Sequence, residues 1–391
     1  MTKFACSLPW TGFSNEPNGK AQPCCLYKGY ITNDEGEPMY VQQYTVDEIL
    51  HSKFMKNLRQ EFRDGKKPIG CSTCWTDEDN GYDSKRIIYN TKINHDPVVE
   101  FTEEPIHLSE FQLIINNSCN LKCRSCTPSH STQWQAEYKI LTGDNGYPMP
   151  YQQSGDQFGK LWIDRHNWYK HLRRLEVVGG EPFYVKQWHQ MFYELIEYGY
   201  SKDIDITLTT NCTLFYEELI YKLANNFKSV SIGLSIDGMG STYEYLRHPG
   251  KWFIAYENMK RYYEIASKTK LNVQVNITIS WLNAYQIPEL HQLIYDEFPN
   301  FSIWNNIVHY PLHLPLYSAP QSYKDYVSNL YNNFAWKPEY KDTMNTILNF
   351  MNSKTISQTE LENNLKILYN TDKFRKENLT ESIPILKQFI N

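Results

Sequence analysis

The sequence predicts an α/β fold built on a parallel sheet, and three observations lead there. Strand-like and helix-like runs alternate between about residue 110 and residue 310. The strand-like runs end in polar or glycine-rich residues, the position where folds of this class carry functional groups. Ahead of them lies a segment of different character: eight of the nine cysteines precede residue 127.

Taken in order, "FQLIINN" (Phe111–Asn117) is the first strand. "RRLEVVGGEPF" holds a buried strand over Leu175–Val178 that runs into two glycines, Glu181 and Pro182. "WHQMFYELIEYG" follows with apolar residues at helical spacing and stops at Gly199. "DIDITLTTNCT" is the third strand, followed by the helix-like "FYEELIYKLANNF". "SVSIGLSIDG", "LNVQVNITIS" and "FSIWNNIVHY" complete six βα units. Pro311–Pro320 is a hinge into a helical tail over Tyr317–Asn391, expected to cover the open edge of the sheet. Leu141–Lys160, rich in Gly, Pro and Asn, is expected to be a lid or substrate-contacting loop. In the N-terminal part, "TVDEILHSKFMKNLRQEFRDG" reads as helix.

The chain has 391 residues, 41% of them hydrophobic and 21% charged, the make-up of a soluble globular protein. A net charge of −5 gives no general affinity for nucleic acid. No apolar run approaches the ~20 residues of a membrane span, and Met1–Trp10 lacks the layout of a signal peptide. The expected compartment is the reducing cytoplasm, with no membrane partner.

The cysteines carry the chemistry. Cys6, Cys24, Cys25, Cys71, Cys74, Cys119, Cys123 and Cys126 form spaced clusters, and Cys212 stands apart. A disulfide framework suits small secreted domains rather than a cytosolic chain of this size, which leaves metal or cluster ligation. Cys119, Cys123 and Cys126 make C-x3-C-x2-C with no fourth ligand close by except His130. His130 sits past Pro128 and reads as the start of a helix, although it remains a possible zinc ligand. Three thiolates suit a 4Fe–4S cluster whose fourth iron stays open, as a catalytic centre requires.

C-x3-C-x2-C directly after a strand resembles the radical S-adenosylmethionine (SAM) enzymes. The resemblance implies a partial (β/α)6 TIM-like barrel over residues 106–312 and a helical C-terminal extension over 313–391. It also implies SAM on the open iron, reductive cleavage to a 5′-deoxyadenosyl radical, and hydrogen abstraction from a substrate. Gly179-Gly180-Glu181-Pro182 resembles the GGEP motif of that superfamily, which approaches the methionine amino group; a plain strand-to-helix turn is the alternative. Thr210 and Asn211, then Ser235 and Asp237, resemble its cofactor-facing strand ends. Arg247 matches an arginine that meets cofactor carboxylate or substrate, against the alternative of a surface ion pair. Ser125 departs from the pattern, because relatives carry an aromatic residue there, near the adenine.

Residues 1–105 resemble a SPASM/twitch module, which relatives usually carry after the barrel and which here precedes it. The resemblance implies Cys6, Cys24, Cys71 and Cys74 as ligands of an auxiliary 4Fe–4S cluster, with Cys25 spare; structural zinc fits the same tetrad. The expected function is oxidative modification of a peptide or protein, supplied with electrons by a flavodoxin- or ferredoxin-type donor. A dehydrogenase or epimerase of a sugar or other small molecule is the alternative, and an iron–sulfur electron carrier the non-enzymatic one. Five residues precede Cys6, so no separate peptide-recognition domain is expected ahead of the module.

Overall fold

Runs of β-branched and aliphatic residues become strands where their alternation requires it. The computed structural model describes residues 5–79, 81, 83–93, 106–142 and 159–390. Its strands are β1 Gly12–Asn15, β2 Ala21–Gln22, β3 Glu110–Ile114, β4 Arg174–Val178, β5 Asp205–Thr210, β6 Ser229–Ser235, β7 Leu271–Ile279 and β8 Ser302–Ile307. The longer helices are α1 Lys53–Arg63, α2 Ser72–Asp79, α3 Thr132–Thr142, α4 Lys186–Glu197 and α5 Glu217–Asn226. They continue as α6 Trp252–Lys268, α7 Ile287–Glu297, α8 Gln321–Asn333, α9 Lys341–Met351 and α10 Gln358–Arg375. The strand order is β2-β1-β3-β4-β5-β6-β7-β8, an open sheet. From β3 onward this is the α/β, partial (β/α)6 barrel arrangement expected from the alternation. The lid expected over 141–160 falls on residues 143–158, outside the described residues.

The chain divides into two units. The first comprises Met1–Asn117, Met149–Leu208 and Lys222–Val230. In it β1 pairs parallel with β3, β3 with β4, and β4 with β5. Leu175 and Val177 are fully buried, while Ser14, Gln112, Glu176 and Thr207 fall in one register row, a polar face. Helix α4 buries Trp188, Met191, Phe192 and Leu195, the i, i+3, i+4, i+7 stripe. Each such side chain contributes about 1.5–3 kcal/mol through burial.

Strands β1 and β2 were not expected. They are four and two residues long, and Phe13 is the single large apolar side chain in β1, so no period is readable. Phe13 packs on Phe111, with ring centroids 4.7 Å apart. The ladder ends because the Asn15 amide stands in for the next rung, donating to Ile114 O at 2.8 Å and accepting from Ile114 N at 3.1 Å. The helix expected after Tyr44 is broken in two. Thr45 caps Val46–Leu50 through a capping box with Glu48, and Ser52 then caps α1 by accepting from Met55 N.

The second unit comprises Ser118–Pro148, Thr209–Tyr221 and Ser231–Asn391. In β7 every second residue, Val273, Val275, Ile277 and Ile279, is buried, and β7 pairs parallel with β8. The helical tail is α8 to α10, and α10 begins at a Ser357–Glu360 capping box. Among the described residues no helix is long and apolar enough to cross a membrane.

One buried pair ties the tail to α3: Arg375 Nε donates to Glu137 Oε1 at 2.6 Å, with side chains 0% and 1% exposed. Arg375 also donates to Lys122 O at 2.8 Å. Removing one partner strands a buried charge, so Glu137→Leu should cost about 3–5 kcal/mol in urea unfolding. The double variant Glu137→Leu/Arg375→Met should recover part of that loss, because Lys122, paired with Glu137 Oε2 at 2.6 Å, still loses its carboxylate. Purely additive costs would show that the pair is not coupled.

Candidate active site

Residues 115–131 form no regular element, so the cysteine loop between β3 and α3 is held by hydrogen bonds. Lys122 N donates to His248 O at 2.8 Å and Arg124 N to Leu246 O at 2.7 Å. Ser131 Oγ donates to Leu121 O, and Trp134 Nε1 to Cys123 O. A tight turn, Cys126 N to Cys123 O at 3.0 Å, sets the last two cysteines side by side. Cys119 is buried and accepts from Leu121 N at 3.4 Å. Burial pushes the Cys126 thiol up, and Cys123 and Cys119 push it further, so the three thiols sense one another. Among the described residues no three His, Cys, Asp or Glu groups are arranged about a single ion. A cubane spreads its thiolates over different irons and does not need them to meet at one point.

One strand end in this unit, that of β5, bonds directly to that loop. The Thr210 side chain accepts from Cys212 N at 3.2 Å. Asn211 Nδ2 donates to Asn120 Oδ1 at 2.8 Å and lies 3.8 Å from Cys119 Sγ, while its Oδ1 accepts from Thr213. Asn120 in turn donates to Thr213 Oγ1 at 2.8 Å. Asn211 is therefore a strut between the end of β5 and the cysteine loop. Ser235 ends β6 half-buried. Asp237 is buried, accepting from Thr278 N at 2.8 Å on Oδ1 and pairing with Arg247 Nη2 at 2.8 Å on Oδ2.

Arg247 is likewise buried, with Nη1 3.9 Å from Cys123 Sγ. Burial works against its charge, but Asp237 and Cys123 hold it firmly protonated. Among the described residues its Nε has no hydrogen-bond partner. Arg247 is thus an interior residue rather than a surface ion pair.

Gly179, Gly180, Glu181 and Pro182 lie in the first unit. Both glycines have left-handed backbone, with φ +88° and +55°. A Cβ on Gly179 would sit 2.4 Å from the Ile114 side chain, so the turn itself requires glycine there. Glu181 is fully buried and accepts from Phe183 N at 3.1 Å, capping the turn Pro182–Tyr184.

In the same unit Cys6, Cys24, Cys71 and Cys74 line one cavity of about 20 Å3. Cys71 and Cys74 sit where a 3-10 turn enters α2, which puts residues three apart on one face. Burial pushes the Cys6 thiol up, with Cys24, Cys71 and Cys74 adding to it. Burial also lifts Cys24 to about 11 and, with Cys24 and Cys74, Cys71 to about 12. Cys6, Cys24 and Cys71 thus sense neighbouring thiols across one space, although among the described residues no three ligating groups gather tightly enough to hold a single ion. Cys25 is exposed and accepts from Lys85 Nζ at 3.1 Å.

Sequence reasoning missed the residues that clamp the triad. Arg124, between two of its cysteines, donates through Nη2 to Asp372 at 2.5 Å and Glu377 at 2.7 Å. Its Nε donates to Tyr245 O, and the guanidinium lies 3.6 Å over the Tyr245 ring. Glu377 also pairs with His248 Nδ1 at 2.6 Å. Asp372 lies 248 residues from Arg124 along the chain, and no spacing rule reaches that far.

Residues 113–280 match the radical SAM superfamily, and residues 6–75 match the SPASM family, described as an iron–sulfur cluster-binding domain. GTP 3′,8-cyclase of Campylobacter lari is 24% identical over 123 residues, 32% of this chain and 33% of that one. GTP 3′,8-cyclase of Aliarcobacter butzleri is 25% identical over 126 residues, 32% of each. The chain thus spans about a third of the length of the curated relatives it matches. A solved structure of anSMEcpe with bound AdoMet is 20% identical, covering 61% of this chain and 62% of that one, with TM-score 0.36. Streptococcus suis SuiB bound to S-adenosylmethionine is 17% identical, covering 70% and 61%, with TM-score 0.35.

If both cysteine sets hold cubanes, the reconstituted chain should carry about eight irons, at four per cubane. The triple variant of Cys119, Cys123 and Cys126 to Ala should keep about four. One equivalent of zinc in place of the residual iron would make the N-terminal tetrad a structural zinc site.

Proposed function

Because the chain belongs to the radical SAM superfamily and carries a SPASM-type iron–sulfur module, we propose that it is an enzyme that modifies a peptide or protein oxidatively. The observation that carries this reading is the Cys119, Cys123 and Cys126 triad. Its three thiols are coupled on a pinned loop, with a buried arginine reaching one of them. The donor set suits a 4Fe–4S cluster with one iron left open. Cys119, Cys123 and Cys126 would hold the cluster, which with SAM would supply radical hydrogen-abstraction chemistry.

The remaining roles belong to the chain's own residues. Arg247, held charged by Asp237 and with Nε unpartnered, is suited to receive the cofactor carboxylate. Its burial excludes water, which strengthens that contact. Asn211 and Thr210 keep the loop and strand end in register at Cys119. The left-handed glycine turn at Gly179 and Gly180 and the buried carboxylate of Glu181 are suited to the methionine amino group, with Pro182 fixing the chain beyond. Ser235 is assigned to the ribose. Cys6, Cys24, Cys71 and Cys74 would hold the auxiliary cluster, which has no open position and so passes electrons only. A flavodoxin- or ferredoxin-type protein is the proposed donor.

The SPASM-type module supports a peptide or protein substrate and a net oxidation. A second reading, a small-molecule substrate, is favoured by the GTP 3′,8-cyclase name of the curated relatives.

Anaerobically reconstituted chain should convert SAM to 5′-deoxyadenosine with dithionite, whereas the Cys119, Cys123 and Cys126 to Ala triple variant should not. Equal product from both would remove the triad from the reaction.

A further inference from the structure

Beyond residues 113–280, the segment that matches the radical SAM superfamily, the chain adds further walls beside the cysteine loop. A cavity of about 370 Å3 opens there, and Cys126 forms part of its lining. That volume lies within the ~300–1,000 Å3 typical of small-ligand pockets. One side is the face of α3 bearing Trp134, Tyr138 and Leu141, residues four and three apart. The turn after β8 supplies Leu312 and His313, and α10 supplies Ile367.

The lining is without a usable charge. Among the described lining residues Arg124 alone carries a fixed charge, and Asp372 and Glu377 already neutralise it at 2.5 and 2.7 Å. Burial, with Arg124 beside it, pushes His313 down to about 4, so the imidazole is neutral at neutral pH. A phosphate entering this space would lose its hydration and meet no available cation. Four of its lining residues, Trp134, Tyr138, Tyr310 and His313, carry rings instead, and Arg375 already lies 4.8 Å over the Trp134 ring. Such rings favour an aromatic guest in stacked or edge-on contact.

We infer that this cavity receives an uncharged aromatic side chain of the substrate and excludes nucleoside polyphosphates. The inference rests on the radical SAM reading for its purpose, because it sets the substrate's aromatic group against the loop that carries Cys126. It narrows the substrate to one presenting a neutral aromatic residue, and it sets the chain apart from the GTP chemistry named for its curated relatives.

The test is calorimetric titration of N-acetyl-L-tryptophanamide, a capped neutral aromatic residue, into the reconstituted full chain saturated with SAM. Two variants block the cavity from its exposed rim: Ile367→Trp fills it and Leu312→Glu charges it, at residues 46% and 67% exposed. Unchanged iron content in each variant reports an intact fold. Wild type should bind the probe with the same affinity with and without SAM, each variant should bind it at least tenfold more weakly, and GTP should not displace it. Wild-type affinity in both variants overturns the inference. Displacement by SAM overturns it as well, since the cavity would then seat the cofactor's adenine, and displacement by GTP overturns it by admitting phosphate. These readouts are of binding, so they fail separately from the radical reading. Wild type that cleaves SAM but ignores the probe sinks the cavity assignment alone. Probe binding without SAM cleavage sinks the radical reading, and with it the purpose assigned to the cavity.

Discussion

The ion pair of Arg124 with Asp372 and Glu377 is the contact on which the cysteine loop depends. An irregular loop bearing three thiols has no ladder of its own to hold its shape, and its thiolates repel one another. Arg124 sits among those cysteines with a side chain 2% exposed. Such a charge is tolerable only when fully paired, so the loop has one conformation that satisfies it. Tyr245 adds a ring beneath the guanidinium and a hydroxyl hydrogen bond to Asp372 at 2.8 Å. The loop is thereby fixed by residues that never touch the chemistry.

Under the proposed function the two cysteine sets divide the labour. The triad stands on a loop braced by buried charges, with Arg247 poised beside Cys123. The tetrad surrounds its own small cavity on short turns and the first turn of α2. Three donors leave a coordination position and four do not, which is the chemical difference between reacting with a ligand and merely relaying electrons. The glycines of the GGEP turn show how one residue type answers two demands. Gly179 and Gly180 both take left-handed backbone, and the Ile114 side chain packs where a Cβ of Gly179 would sit.

Most of the sheet was legible because strands such as Leu175–Val178 and Leu271–Ile279 alternate cleanly between a buried and a polar face. The C-x3-C-x2-C loop was legible as a cluster because Cys119, Cys123 and Cys126 fall within eight residues. Strands β1 and β2 were not, since two to four residues with one large apolar side chain carry no period. The break at His51–Ser52 was hidden by apolar residues continuing in helical phase, although Ser52 was a readable cap. The Arg124 clamp and the Asn211–Asn120–Thr213 strut join residues far apart in the chain, and only the fold brings such partners together.

The 248-residue separation of Arg124 from Asp372 has a consequence in time as well as in space. A ribosome adds ~5–20 residues each second, so the loop waits roughly ten to fifty seconds after its synthesis before its counter-ions exist. Until then Arg124 has neither of the carboxylates that pair with it in the fold. The Arg124–Asp372 clamp therefore cannot close on the cysteine loop until the helix that carries Asp372 has been made.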